Sequence, residues 1–79
     1  MNQKDLNRVV GKNIKKYRLL YNAYIGKMTQ ESLAEAINSS VSLISSLESP
    51  KSSQGISIYY LYKISSVLNI PIDNFFVDE

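Results

Sequence analysis

The first 24 residues carry one apolar stripe at helical spacing. Five of its members follow one another at intervals of three or four positions: Leu6, Val10, Ile14, Tyr17 and Tyr21. That interval is the period of one face of an α-helix, so the stripe predicts a first helix, capped by Asn2 or Asp5. Gly11 lies inside this helix and should cost about 1 kcal/mol relative to alanine. Close packing against another helix would explain the glycine.

Between residues 22 and 28 the helical pattern lapses. Gly26 and the adjacent Tyr24 and Ile25 indicate that the first helix ends here and that a loop leads to Thr29. Because this loop is not strongly polar, we expect Tyr24 or Ile25 to cover the edge of the core.

The pattern of residues 29–48 predicts two short helices with a tight turn between them. Thr29 and Ser40 are favourable N-cap residues, and Asn38 tolerates the left-handed backbone that ends a helix. Apolar residues at three- or four-residue spacing give each helix an inner face: Leu33 and Ile37, then Ile44 and Leu47. Small Ala34 lets the two helices cross closely. This spacing fits a helix-turn-helix, whose second helix can enter a DNA major groove, and it fits an ordinary helical hairpin equally well.

The outward positions of the second of these helices favour the helix-turn-helix. They are small and mostly hydroxylated: Val41, Ser42, Ser45 and Ser46. A helix that only had to remain soluble would usually carry Lys and Glu there, which form helices better. A serine hydroxyl can bond to a base edge or to a phosphate, so groove contact is a candidate reason for these residues.

The remaining segment predicts a loop, a helix and a final turn. Pro50 and Gly55 mark the loop, and Ser57 can cap the helix that follows. The apolar stripe of that helix is Ile58, Leu61, Ile64, Val67 and Leu68. Asn69 ends it, and Pro71 starts a last turn that contains Phe75 and Phe76. The sequence therefore predicts an all-α fold of five helices in one domain over residues 1–79.

Composition excludes several kinds of chemistry. The chain has neither cysteine nor histidine, so we expect no disulfide, no metal site and no histidine-based catalysis. Phosphate-cradling glycine motifs are missing too, so we expect no enzyme, no cofactor and no small-molecule ligand. No run of apolar residues is long enough for a secretory leader or a membrane span, and we expect a cytoplasmic protein.

Charge is distributed unevenly along the chain. Residues 1–27 hold seven basic residues and one acidic residue, whereas residues 28–79 hold two basic and six acidic residues. A basic N-terminal third could meet phosphate. A solvated helix face is the more common explanation of such a run.

Four segments together resemble a known family. GKNIKKYR, TQESLAEAI, SVSLISSLE and SIYYLYKISSVLNIPIDNFF stand in the order and spacing of the XRE family of bacterial and phage helix-turn-helix regulators, the Cro/CI type. The resemblance covers roughly residues 10–76. It implies a compact five-helix lambda-repressor-like domain that binds double-stranded DNA, usually as a homodimeric repressor on a two-fold operator.

The resemblance also implies roles for individual residues. Val41, Ser42 and Ser46 stand where family members read bases, with Ser45 beside them and Ser40 as the cap. Gln30 stands where a family glutamine touches phosphate or supports the recognition helix, and Thr29 precedes it. We expect Thr29 and Ser40 to contact DNA as well. Arg18 and Glu48 match a structural ion pair. We expect Lys27, Gln30 and Lys51 to flank the recognition helix and contact phosphate.

Some features depart from the family pattern. The turn between helices 1 and 2 is longer than usual, Ser39 replaces a buried aliphatic residue, and Ser49-Pro50-Lys51 replaces the usual exit from helix 3. The recognition helix has no Arg, Lys, Gln or Asn, which are the side chains that read a base with two hydrogen bonds. The basic residues lie mainly on helix 1, which in this family is largely away from the groove.

The C-terminal turn predicts a dimer surface. Ile72, Phe75, Phe76 and Val77 are four apolar residues within six positions, more than one short turn can bury. We expect Phe75 to point inward and Ile72, Phe76 and Val77 to meet a second copy, with Tyr62 or Ile70 as neighbours. The alternative is that both phenylalanines close the monomer core. An alternative function is a protein-interaction module on the same fold, such as an antitoxin or a partner of another regulator.

Overall fold

The computed structural model describes residues 1–78, all of whose regular structure is helical. The elements are α1 (Gln3–Tyr24), α2 (Gln30–Ala36), α3 (Val41–Glu48), α4 (Ile58–Leu68) and a 3₁₀ helix (Ile72–Phe76). The all-α prediction is confirmed, although the fifth helix is a single 3₁₀ segment rather than an α-helix. None of the described helices is both long and apolar enough to cross a lipid bilayer.

Local capping chemistry sets the helix boundaries. Each α-helix begins after a side chain that accepts a hydrogen bond from the backbone N–H three residues later: Asn2, Thr29, Ser40 and Ser57. Asn2, not Asp5, therefore caps α1. Asn38 and Asn69 follow α2 and α4 with φ angles of 57°, in the left-handed conformation that asparagine tolerates. These predicted boundaries are confirmed.

All five helices contribute to one core. Its fully buried side chains are Ile14, Leu33, Ile37, Ile44, Ile64 and Phe75. The ring of Phe75 meets Tyr17 of α1 edge to face, with ring centroids 5.5 Å apart, a favoured aromatic geometry. The prediction that Phe75 points inward is confirmed, and Phe76 remains exposed.

Gly11 lies at the closest approach of α1 to α3. A Cβ atom added there would overlap the carbonyl oxygen of Leu47. Only glycine lets the two backbones touch at this point. The predicted close helix packing is confirmed, and it accounts for a residue that weakens an isolated helix.

A buried asparagine fastens the C-terminal segment to α1. The Nδ2 atom of Asn13 donates to the carbonyl oxygen of Phe75 at 2.8 Å and to that of Val77 at 2.9 Å. Because these bonds satisfy backbone acceptors at the end of the 3₁₀ helix, they fix where Phe76 and Val77 emerge on the surface.

Three apolar residues lie further out than the sequence predicts. Tyr24 and Ile25 are 82% and 69% exposed, so the expectation that either covers the core edge is wrong. Met28 is buried in their place, with its backbone N–H bound by the side chain of Asn22. Ile58 is 79% exposed, since it occupies the first position of α4, before the helix packs on the core.

Candidate nucleic-acid interface

The helix α3 has one buried face and one exposed face. Ile44 and Leu47 are buried in the core, whereas Val41, Ser42 and Ser45 are exposed and Ser46 is half-buried. In the turn before α3, the backbone N–H of Ser39 donates to the carbonyl oxygen of Ala34 at 2.8 Å. With Ala34 itself buried, α2 and α3 cross closely and the outward face of α3 is left open.

An ion pair holds the end of α3 against α1. Arg18 Nε donates to Glu48 Oε2 at 2.7 Å, and Arg18 Nη2 donates to Glu48 Oε1 at 2.8 Å. The two side chains are only 9% and 2% exposed. This bidentate geometry is the strong form of an arginine–carboxylate pair. The structure thus brings together the pair that the resemblance implied.

The same carboxylate also binds α2. Gln30 Nε2 donates to Glu48 Oε1 at 3.1 Å, so one carboxylate connects α1, α2 and α3. Of the two roles that the resemblance allowed for Gln30, this contact is the supporting one. Burying the two charges is costly, and removing either partner would leave the other buried and uncompensated. The triad of Arg18, Gln30 and Glu48 therefore fixes the orientation of the helix-turn-helix.

Two further bonds hold the long connection between α1 and α2. Arg18 Nη1 donates to the carbonyl oxygen of Met28 at 3.0 Å, and the Met28 backbone N–H donates to Asn22 Oδ1 at 2.7 Å. Both backbone groups of Met28 are thereby satisfied, and the connection is anchored just before α2. The hydrophobic pattern does not predict this role for Asn22, which lies in the last turn of α1, although asparagine side chains often bind nearby backbone in this way.

Apart from the serines of α3, the residues predicted to contact DNA lie at the two ends of the exposed face of that helix. Lys27, Thr29, Gln30 and Val41 border one shallow depression, between the start of α2 and the start of α3. Lys51 is exposed in the turn beyond the other end of α3. The predicted cations therefore lie at opposite ends of the exposed face of α3.

Two predicted hydroxyl contacts already serve as helix caps. Ser40 Oγ accepts from the Leu43 backbone N–H at 3.1 Å, and Thr29 Oγ1 accepts from that of Ser32 at 3.0 Å. Ser42 and Ser45 have no such role in capping, and both are exposed. The face consequently offers short hydroxyls and the methyl groups of Val41, which suit contact at close range with base edges and thymine methyls.

The predicted dimer residues form part of an apolar surface. Phe76 borders a groove with Leu6, Ile56 and Ile58, and Val77 is half exposed beside it. Ile72 is half-buried and packs on the core, so it presents less surface than Phe76 and Val77. No group of three His, Cys, Asp or Glu residues that could hold a metal ion occurs among residues 1–78.

Comparison with known proteins identifies the central part of this architecture. A family model described as helix-turn-helix matches residues 26–75, which include α2, α3, α4 and most of the 3₁₀ helix. The matched segment is more than half of the chain, and it begins after the end of α1. The curated proteins include no match to this sequence.

Proposed function

We propose that this chain, which belongs to the XRE family of helix-turn-helix proteins, is a transcriptional regulator that reads double-stranded DNA through α3. We further propose that the protein is a cytoplasmic repressor, which binds a two-fold operator as a homodimer. The observation that carries it is the triad of Arg18, Gln30 and Glu48. These buried bonds fix α3 against α1 and α2, while the opposite face of α3 remains exposed.

The open face supports base contact at short range. Ser42 and Ser45 are exposed, Ser46 is half-buried, and Val41 borders the depression at the start of α2. Because these side chains are short, α3 must lie deep in the groove for them to reach base edges. Fixing the helix rigidly favours such an approach, since a helix that could tilt would lose short contacts first.

Phosphate contacts would position this helix without adding base preference. Lys27 and Lys51 are exposed near the two ends of α3, which suits contacts to the backbone on either side of a major groove. Gln30 has one amide oxygen left for a water or a donor, because only its Nε2 binds Glu48.

A duplex titration tests the proposal. The fluorescence anisotropy of labelled DNA from upstream of the protein's own gene, and of random duplex, is measured at several salt concentrations. We expect binding to both at low salt, with log affinity falling linearly with log salt concentration. Tighter binding to the upstream DNA would support the reading of sequence. No binding to either duplex at low salt would contradict the proposal.

A protein-interaction module remains the second candidate function, and one observation favours it. Leu20, Tyr24 and Ile25 are exposed near the C-terminal end of α1, where they border an apolar depression with Leu68 and Ile70. Exposed apolar surface of this kind is typical of protein contacts. Absence of duplex binding, together with a stable complex with another protein, would select this candidate.

The homodimer has its own test. We expect the surface of Phe76 and Val77 to meet its copy across a two-fold axis, because two recognition helices double the contacts with an operator. Sedimentation equilibrium at micromolar concentration should give a dimer for wild type and a monomer for Val77→Asp. Leu19→Asp is the matched control, since Leu19 is 47% exposed and borders neither the groove at Phe76 nor the depression at Tyr24, and it should remain dimeric. A wild-type monomer throughout would contradict a dimer formed without DNA.

A further inference from the structure

The contact at Gly11 brings one side of α1 to the end of α3. Arg8, Lys12 and Lys15 follow one another on this side at intervals of four and three residues, which is helical spacing. They border one depression together with Ser49 and Pro50, the residues immediately after α3. We call the side of α1 that carries Arg8, Lys12 and Lys15 the α1 basic side.

Few other cations are available near α3. The recognition helix itself contains none, and outside α1 the basic residues are Lys27, Lys51 and Lys63. Lys63 lies on α4, with its Nζ atom 5.0 Å from the centre of the Tyr59 ring. A protein that binds DNA neutralises phosphates with Lys and Arg. Lys27 and Lys51 alone would neutralise few phosphates.

Two acidic residues among residues 1–78, Glu48 and Asp5, lie near Arg8 and Lys15 and oppose their charge only weakly. Glu48 borders the same depression, but its carboxylate is bound to Arg18 and Gln30. Asp5 Oδ1 lies 3.9 Å from Arg8 Nη1, and both side chains are about half exposed. Solvent screens exposed pairs of this kind. Arg8 and Lys15 on this side therefore present positive charge to a ligand.

We propose that the α1 basic side is a second phosphate-binding surface, which contacts the DNA backbone beside the exit of α3. This inference rests on the proposed DNA binding of α3 and extends it to α1. It is independent of the family match, because the matched segment begins at residue 26. Continuity with Ser49, Pro50 and Lys51 means that one backbone strand could follow the surface from the exit turn to α1.

The test compares salt dependence in matched variants. Binding to a random duplex of about 20 base pairs, long enough for several phosphate contacts, is measured between 50 and 200 mM salt. The variants are Lys15→Gln, Arg8→Gln and the double variant, with Lys63→Gln as a control that removes one charge from α4. Thermal unfolding of each variant verifies that it is folded, which we expect because all three positions lie at or near the surface.

The expected result is a change in slope that depends on position. Lys15→Gln and Arg8→Gln should each reduce the slope of log affinity against log salt by about one unit, and the double variant by about two. Lys63→Gln should leave the slope unchanged. If Lys63→Gln and Lys15→Gln reduced the slope equally, net charge alone would explain the effect, and the proposal would be overturned.

Two failures are distinguishable. If wild type binds duplex with a clear salt slope and the α1 variants retain that slope, the α1 basic side is not part of the interface and only this inference is wrong. If wild type binds no duplex at all, the proposed function is wrong and this inference is overturned with it.

Discussion

The inner and outer faces of α3 differ in how firmly their side chains are held. The inner face is buried: Ile44 and Leu47 pack in the core, and the Glu48 carboxylate accepts hydrogen bonds from Arg18 and Gln30. The outer face has short side chains with few fixed partners, and Ser42 and Ser45 are exposed. The difference indicates that the fixed position of the α3 backbone determines which contacts the outer face can make. The side chains of that face are too short to correct an error in this position.

This contrast has a physical cause. A long side chain such as Arg or Gln can search for a base and correct a small error in helix position, at a cost in conformational entropy. A serine cannot, so the backbone itself must be placed accurately. A tightly held inner face and a short-reach outer face are therefore complementary parts of one interface.

The largest expected effect comes from breaking the buried pair. Arg18→Met or Glu48→Gln should each lower the free energy of unfolding by about 3–5 kcal/mol, because the remaining charge stays buried without its partner. The double variant should lose much less than the sum of the two. Urea denaturation of all four proteins gives the coupling energy. A coupling energy indistinguishable from zero would mean that the inner face is not held by this pair.

A smaller effect is expected where α1 touches α3. Gly11→Ala should lower the free energy of unfolding by about 1–3 kcal/mol through steric overlap with Leu47, although alanine favours a helix. Gly26→Ala is the matched control, because a Cβ there meets no atom within 4 Å, and it should change stability by less than about 0.5 kcal/mol. Equal stability of the two variants would contradict the close approach of α1 and α3.

The smallest effect on stability is expected on the outer face. Ser46→Ala should change the free energy of unfolding by less than about 0.5 kcal/mol, while altering the preferred base at one position of the DNA site. Selection of binding sites from a random duplex library, with wild type and variant in parallel, measures that preference. Uniformly weaker binding to every sequence would instead assign Ser46 to a phosphate contact.

The sequence predicts the helix boundaries well because their causes are local. Thr29, Ser40 and Ser57 bind backbone three residues away, and Asn38 and Asn69 end helices through their own backbone conformation. Each of these effects operates within one turn, so no knowledge of the remaining fold is required.

The site depends on contacts that local patterns cannot contain. Arg18 and Glu48 are 30 residues apart, so only the family resemblance pointed to the pair, and the bond of Gln30 to Glu48 required the structure. Tyr24 and Ile25 were predicted wrongly for the same reason. Met28 is the residue that is buried, and its backbone is bound by the side chains of Asn22 and Arg18, contacts that the hydrophobic pattern does not contain.

The central claim is that the exposed face of α3 meets DNA, and one pair of matched variants tests it most directly. Ser45→Glu places a carboxylate on that face, and Ser66→Glu adds the same charge to an exposed position of α4. Both variants should remain folded by circular dichroism. Anisotropy titration of both against duplex DNA then compares the two positions at equal net charge.

We predict that Ser45→Glu weakens duplex binding by at least about tenfold, because a carboxylate facing phosphates and base edges is repelled. Ser66→Glu should bind within about twofold of wild type, since salt screens a charge that lies away from the interface. Equal affinities for the two variants would contradict the claim that α3 is the surface that binds DNA.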